Sequence, residues 1–263
     1  MRWDERQRAM LREIGVHSWW PVDDEVATEE RPAAAREEAA PVPAIVPGRE
    51  PPPAAPRLAA ASGVAAGLDW PALRAAVAGC TACPLSGSRR QTVFGVGHEQ
   101  AHWMIVGEAP GEQEDREGEP FVGKSGQLLD NMLRAIGLTR GPAEPARQVF
   151  IANTLKCRPP GDRNPAPDEL AQCEAFLIRQ VQLVQPRIIL AMGAFAVQSL
   201  LRSAEPVGRL RGRVHRYQGV PLIVTYHPAY LLRNPVDKAK AWDDLCLAVE
   251  TAAATAATST SAP

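Results

Sequence analysis

The sequence predicts an α/β domain: a mostly parallel sheet with helices on both faces. Two observations carry this. Short apolar runs alternate with stretches of helical periodicity between about residues 69 and 250, and strand–helix alternation requires crossovers between parallel strands. Polar residues and glycines also gather just past the ends of the apolar runs, at Glu108-Ala109-Pro110-Gly111, Asn153-Thr154, Gly193 and His227-Pro228. In an open parallel sheet that edge is where ligands bind.

The elements follow in order. Trp103 to Val106 is an apolar run of strand length, closed by Gly107. Gly126 to Ile136 places Leu128, Leu129, Met132, Leu133 and Ile136 on one helical face, and Gly137 stops it. Val149 to Ala152 is a second strand and Asp168 to Gln185 a long helix. Ile188 to Met192 is a third strand, followed by a helix over Ala194 to Leu201. Val220 to Thr225 is a fourth, and Pro235 to Glu250 closes the domain with a helix.

Composition divides the 263 residues further. Residues 1–20 form an N-terminal peptide with Met10, Leu11 and Ile14 at helical spacing. Residues 21–68 read as a disordered linker, because nine of the 25 prolines fall within positions 21–57 among Ala and Glu. Such a stretch cannot bury enough apolar surface to offset its ordering entropy. Residues 69–250 are the globular domain, and 251–263 a disordered Ala/Thr/Ser tail. Residues 1–68 carry 8 basic and 11 acidic side chains, the remainder 21 and 19, of which 17 are Arg. A mildly basic, Arg-heavy domain is compatible with phosphate binding. The longest apolar run, Ile188 to Val197, is ten residues, well short of the roughly 20 that a membrane span needs. Charges throughout the first twenty residues exclude a signal-peptide core there, so a cytoplasmic monomer is expected.

Four of the five cysteines form a pattern, Cys80-x-x-Cys83, then Cys157 and Cys173. A C-x-x-C pair after a helix, joined by a cysteine that anchors the irregular loop Arg158-Pro159-Pro160-Gly161, reads as a metal site. Spacing leaves zinc and a four-iron cluster open. Cys246 sits between Leu245 and Leu247 and reads as packing. Gly118 to Ser125 matches the phosphate-loop pattern G-x-x-x-x-G-K-[ST] letter for letter. That loop must spring directly from a strand. Here an acidic stretch containing Glu108, Glu112, Glu114, Asp115 and Glu117 intervenes and would repel a triphosphate. A nucleotide hydrolase is therefore not expected.

Gly107-Glu108-Ala109-Pro110-Gly111 with Glu114-Asp115, then Pro120-Phe121-Val122-Gly123, Asn153 ahead of Lys156-Cys157-Arg158-Pro159-Pro160, and His227-Pro228-Ala229-Tyr230-Leu231-Leu232-Arg233 occur in order. Together with the four cysteines they strongly resemble family 4 uracil-DNA glycosylases over nearly all of residues 70–250. The resemblance implies a three-layer α/β/α fold around a four-stranded parallel sheet and a [4Fe-4S] cluster on Cys80, Cys83, Cys157 and Cys173. It also implies hydrolytic removal of uracil from DNA by base flipping, leaving an abasic site. A catalytically silent iron–sulfur or zinc DNA-binding module is the competing reading.

Each residue type suits its role. Phe121 offers an aromatic face for the pyrimidine, in a pocket that Ala109 helps to shape. Asn153 presents an acceptor and donors that match the N3–H and O4 of uracil and mismatch cytosine. Neutral His227 can donate to O2, where negative charge develops. Among the loop carboxylates, Glu114 is expected to handle the water and Glu108 to shape the pocket. Relatives in another branch place Asp at the position of Ala109. Leu231 is expected to be the wedge that fills the hole left by the flipped base, with Arg233, Arg211, Lys124 and Ser125 on phosphates. Ala229 stands where Ser is common, removing one hydroxyl contact. Pro160 to Pro167 holds no His, unlike relatives that trap uracil covalently. Residues 8–16 with Trp19 and Trp20 loosely resemble the N-terminal peptide of the psi subunit of the bacterial clamp loader, which implies a replisome partner for residues 1–20.

Overall fold

The structure is a computed structural model that describes residues 65–260, with side chains to residue 255, and residue 13 by itself. The expectations for the N-terminal peptide and for nearly all of the linker lie outside the described residues.

The sheet has six strands, not four, and is mixed. In chain order the strands are β1 (Val96–Gly97), β2 (Trp103–Gly107), β3 (Phe150–Asn153), β4 (Ile188–Met192), β5 (Val214–Tyr217) and β6 (Val220–Thr225). They lie in the order β1-β3-β2-β4-β6-β5. The four expected strands form its centre and are mutually parallel. The two further strands add antiparallel edges, β1 against β3 and β5 against β6. Both escape a hydrophobicity reading for a physical reason. β1 is two residues long, and β5 is an edge strand with no fully buried residue, its side chains alternating between exposed and half-buried as they point to opposite faces.

The helices are α1 (Trp70–Ala78), α2 (Glu112–Glu117), α3 (Lys124–Ala135), α4 (Pro167–Val184), α5 (Ala194–Leu201), α6 (Val207–Leu210), α7 (Pro228–Arg233) and α8 (Lys238–Thr260). Asp69 caps α1 by accepting from the Ala72 N–H at 3.0 Å. Alternate residues along every central strand pack to opposite faces. Met104, Val106, Phe150, Ala152, Ile189, Ala191, Leu222 and Val224 join the core beneath α1, α4 and α5. Ile105, Ile151, Leu190 and Ile223 join the one beneath α3, α7 and α8, where Cys246 is also packed. This is the three-layer arrangement. Helix α8 continues to Thr260, past residue 251 where the composition suggests a tail. Its Ala-rich end favours the helix.

Arg211 fastens the loop ahead of β5 to α8. Its Nη2 lies 2.9 Å from Asp244 Oδ1 and its Nε donates to Oδ2 at 3.0 Å. Asp244 is fully buried.

Candidate functional site

The C-terminal ends of β2, β3 and β6 and the loop before α3 bring Asn153, Phe121 and His227 together. Parallel pairing sets Gly107 opposite Asn153. A Cβ on Gly107 would stand 2.4 Å from Asn153 Oδ1 and 2.6 Å from the Phe121 ring, so only glycine admits both. Phe121 holds a left-handed backbone (φ 56°), a conformation that costs a non-glycine residue free energy and gathers at functional sites. Its carbonyl presses on Gly126, where a Cβ would come within 1.7 Å. The Phe121 ring stacks on His227 with centroids 5.4 Å apart and planes at 28°.

Asn153 is buried, and its Oδ1 has no hydrogen-bond partner. A buried unpaired acceptor is costly unless a ligand supplies the donor. His227 is the N-cap of α7, and its Nδ1 accepts from the Ala229 N–H at 3.2 Å. Burial, assisted by Arg233, pushes its pKa down to about 4. The imidazole is therefore neutral, with its proton on Nε2 as a donor.

The loop carboxylates separate clearly. Glu114 is buried, and its oxygens accept from Gly111 N at 3.1 Å, Val122 N at 3.0 Å and Gly123 N at 3.3 Å. Asp115 accepts from Arg90 N with both oxygens at 3.0 Å. These two acids hold the loop together. Of the loop acids that no backbone N–H engages, Glu112 and Glu117 are exposed, whereas Glu108, just beyond β2, is half-buried, and burial raises its pKa to about 7. The expectation that Glu114 handles water thus meets a carboxylate already engaged by three N–H groups.

Two other expected roles shift with the geometry. Leu231 is 1% exposed, in the core against α3 and α8, whereas Leu232 is 43% exposed. Pro228 opens α7 and packs inward with Leu231, three residues on, so the next side chain faces outward. Arg211 is tied to Asp244 and is not free for phosphate. Lys124 and Ser125 open α3 behind Gly123, which provides no side-chain cap, and Arg233 is exposed in the last turn of α7. Ala109 packs against the core beside the strand edge. The phosphate-loop lookalike begins at the C-cap of a helix, not at a strand.

Cys80, Cys83, Cys157 and Cys173 line one cavity with Val77, Lys156 and Phe176. Arg89 Nη1 donates to Cys157 Sγ at 3.1 Å and the Lys156 N–H to Cys173 Sγ at 3.3 Å. Burial pushes the Cys173 thiol up to about 12 and raises that of Cys157. The Lys156 ammonium is itself buried and pushed down to about 8 by desolvation, against the pull of Cys173 and Cys157. Sequence reasoning gave Lys156 no role; its signal is a lysine one residue from a metal-pattern cysteine, directly after a buried strand.

An unpaired buried amide oxygen beside a neutral imidazole at a strand edge defines a ligand-binding site, and comparison with known proteins gives its class. The uracil DNA glycosylase superfamily profile matches residues 94–246. The chain is 40% identical over 190 residues to the type-4 uracil-DNA glycosylase of Pyrobaculum aerophilum, covering 68% of this chain and 93% of that protein. It is 40% identical over 164 residues to the type-4 enzyme of Archaeoglobus fulgidus (59% and 79%). A type-5 uracil-DNA glycosylase from Pyrobaculum aerophilum is 32% identical over 149 residues (52% and 66%). The chain belongs to the uracil DNA glycosylase superfamily and, within it, to the type-4 group.

Replacing Glu114 by Gln leaves one acceptor oxygen where the carboxylate has two, stranding at least one buried loop N–H. The expected cost is about 1–3 kcal/mol in urea unfolding, with Glu114→Asp no better because its oxygens fall short of the loop. Stability equal to wild type would show that the three bonds contribute nothing.

Proposed function

We propose that this chain is a uracil-DNA glycosylase that hydrolyses the N-glycosidic bond of deoxyuridine in DNA after flipping the base, and leaves an abasic site for base-excision repair. The observation that carries this is the pairing, at one strand edge, of an unpartnered buried Asn153 oxygen with a neutral His227 that donates from Nε2. Uracil supplies the missing donor at N3. His227 donates to O2 as negative charge builds there, and Phe121 supplies aromatic surface to the ring. A pyrimidine with no N3–H would leave the Asn153 oxygen unpaired, which is the basis of selection.

Glu108 is the acid we assign to the water. Its raised pKa suits a general base working near neutral pH, while Glu114 keeps the loop in place. Leu232 takes the wedge role in place of Leu231, and Lys124, Ser125 and Arg233 meet phosphates, with the open N-terminus of α3 assisting. A cytoplasmic monomer remains our reading of the sequence; no helix of the described residues is long and apolar enough to cross a membrane.

The four cysteines would hold a [4Fe-4S] cluster. Thiols whose pKa is raised by burial become thiolates only beside strong positive charge, and Arg89 and the Lys156 N–H are placed to bond such sulfurs. Against a single zinc, the support for the larger cluster is the match of Cys80, Cys83, Cys157 and Cys173 to the type-4 pattern. Bound, the cluster supplies iron–thiolate bonds that tie α1 to α4 and the β3 loop.

Residues 1–20 we assign to a replisome partner, the chi subunit by the psi-like resemblance, with the linker raising local concentration near replicating DNA.

The central test is single-turnover cleavage of a uracil-containing oligonucleotide. His227→Ala should lose about 2.7–4 kcal/mol of transition-state stabilisation; a wild-type rate would remove the imidazole from the mechanism. Glu108 ionises as pH rises through about 7, so the rate should climb across that pH and then level off. In Glu108→Gln that ascending limb should vanish. His227 protonates only as pH falls to about 4 and adds no limb above it.

Leu232→Ala should weaken flipping, read as fluorescence of a 2-aminopurine beside the uracil, with melting temperature unchanged. Leu231→Ala should instead cost about 2–5 kcal/mol of stability. The reverse pattern restores Leu231 as the wedge.

Freshly purified protein should be brown, with about four irons per chain. Colourless protein with one stoichiometric zinc overturns the cluster. Removal of residues 1–20 should spare turnover on short oligonucleotides and abolish co-purification with chi; a joint loss of activity and melting temperature assigns the peptide to the fold instead.

A further inference from the structure

We propose that Lys156 is a positioning residue for uracil recognition: its ammonium holds the backbone of Asn153 in place from the cysteine side of the segment that carries both. The inference rests on the glycosylase reading above. Lys156 is 1% exposed. Its Nζ donates to the Asn153 carbonyl at 2.7 Å and to Gln180 Oε1 at 2.7 Å. Gln180, fully buried in α4, donates in turn to the Phe94 carbonyl at 2.8 Å. The backbone of Lys156 is equally committed, its N–H to Cys173 Sγ at 3.3 Å and its carbonyl to the Val93 N–H at 2.8 Å.

The partners are the informative part. The Nζ hydrogen bonds go to neutral oxygens, with no carboxylate among them. Burying an ammonium this way is expensive. Although Cys173 and Cys157 offset part of that cost, the Nζ hydrogen bonds are directed at the strand end and at Gln180. What the lysine provides and methionine cannot is a charged donor fixed on the carbonyl of the residue whose side chain is the unpaired acceptor of the pocket. The segment from Asn153 to Cys157 is then pinned at both ends, by the cysteine cavity on one side and by Lys156 on the strand end. A misplacement of about 1 Å in a recognition group can cost about a hundredfold in rate, so a small rotation of the Asn153 peptide reaches the chemistry directly.

The test compares Lys156→Met with Val184→Ala in the full-length protein as purified. Val184 is a core residue one turn beyond Gln180 at the end of α4, and its truncation costs stability without removing a hydrogen bond of this network. Cluster absorbance per chain, melting temperature, DNA affinity and single-turnover rate on uracil DNA are measured for each. Lys156→Met should retain the absorbance and the DNA affinity and lose about tenfold to a hundredfold in rate. Val184→Ala should keep the wild-type rate even where its melting temperature falls as far. A wild-type rate in Lys156→Met, or equal slowing in both variants, overturns the positioning role. Should Lys156→Met fail to fold, Gln180→Leu removes one of the two acceptors and should also slow the chemical step at unchanged DNA affinity; a wild-type rate there overturns the proposal. A wild-type chain that releases no uracil defeats the glycosylase reading and the positioning role with it, whereas an active wild type beside an unslowed lysine variant defeats the positioning role alone.

Discussion

A missing side chain at Gly107 is the constraint on which the site depends. The parallel pairing of β2 and β3 brings Gly107 level with Asn153, and the space a Cβ would fill is taken by the Asn153 amide and the Phe121 ring. Phe121 in turn can keep its left-handed backbone only because Gly126 lets its carbonyl approach. His227 depends on the same device from the other side, since a Cβ at Gly193 would stand 2.9 Å from its own Cβ. Three glycines on three different elements thus set the distances among three functional side chains.

Burial then sets the protonation states. His227 loses solvent and stays neutral, and Glu108 loses solvent and becomes reluctant to ionise. Around Glu114 and Asp115, backbone N–H groups take the place that water would occupy. One short stretch therefore contains buried carboxylates engaged in holding the loop, exposed ones at its surface, and the half-buried Glu108. The separation comes from burial and hydrogen-bond supply and not from residue type.

The central strands were legible because each is an apolar run bounded by turn residues, and Ile188–Met192, Val220–Thr225 and the helix Ala194–Leu201 fall where the periodicity puts them. The edge strands were not, since a two-residue bridge and a half-solvated strand carry little hydrophobic signal. Asn153, Phe121 and His227 were readable from their motifs and their place past strand ends. Which acid is free was not, because Glu108 and Glu114 differ only in the N–H groups that three-dimensional packing brings to them. The roles of Leu231 and Leu232 turned on the phase of a helix of six residues, too short for periodicity to determine. Arg211 could not be told from a surface arginine until Asp244, on a distant helix, stood beside it.

The cysteine cavity also bears on how the chain is made. Cys80 and Cys83 leave the ribosome before Cys173, which follows roughly ninety residues later. At about 5–20 residues per second of synthesis, several seconds separate the two. During that interval α1 has neither α4 to pack on nor a closed loop to hold it, and its apolar face, Leu73 and Val77, stays wet. Closing so long a loop is slow relative to local helix formation. This flank is therefore completed only after its fourth cysteine is translated.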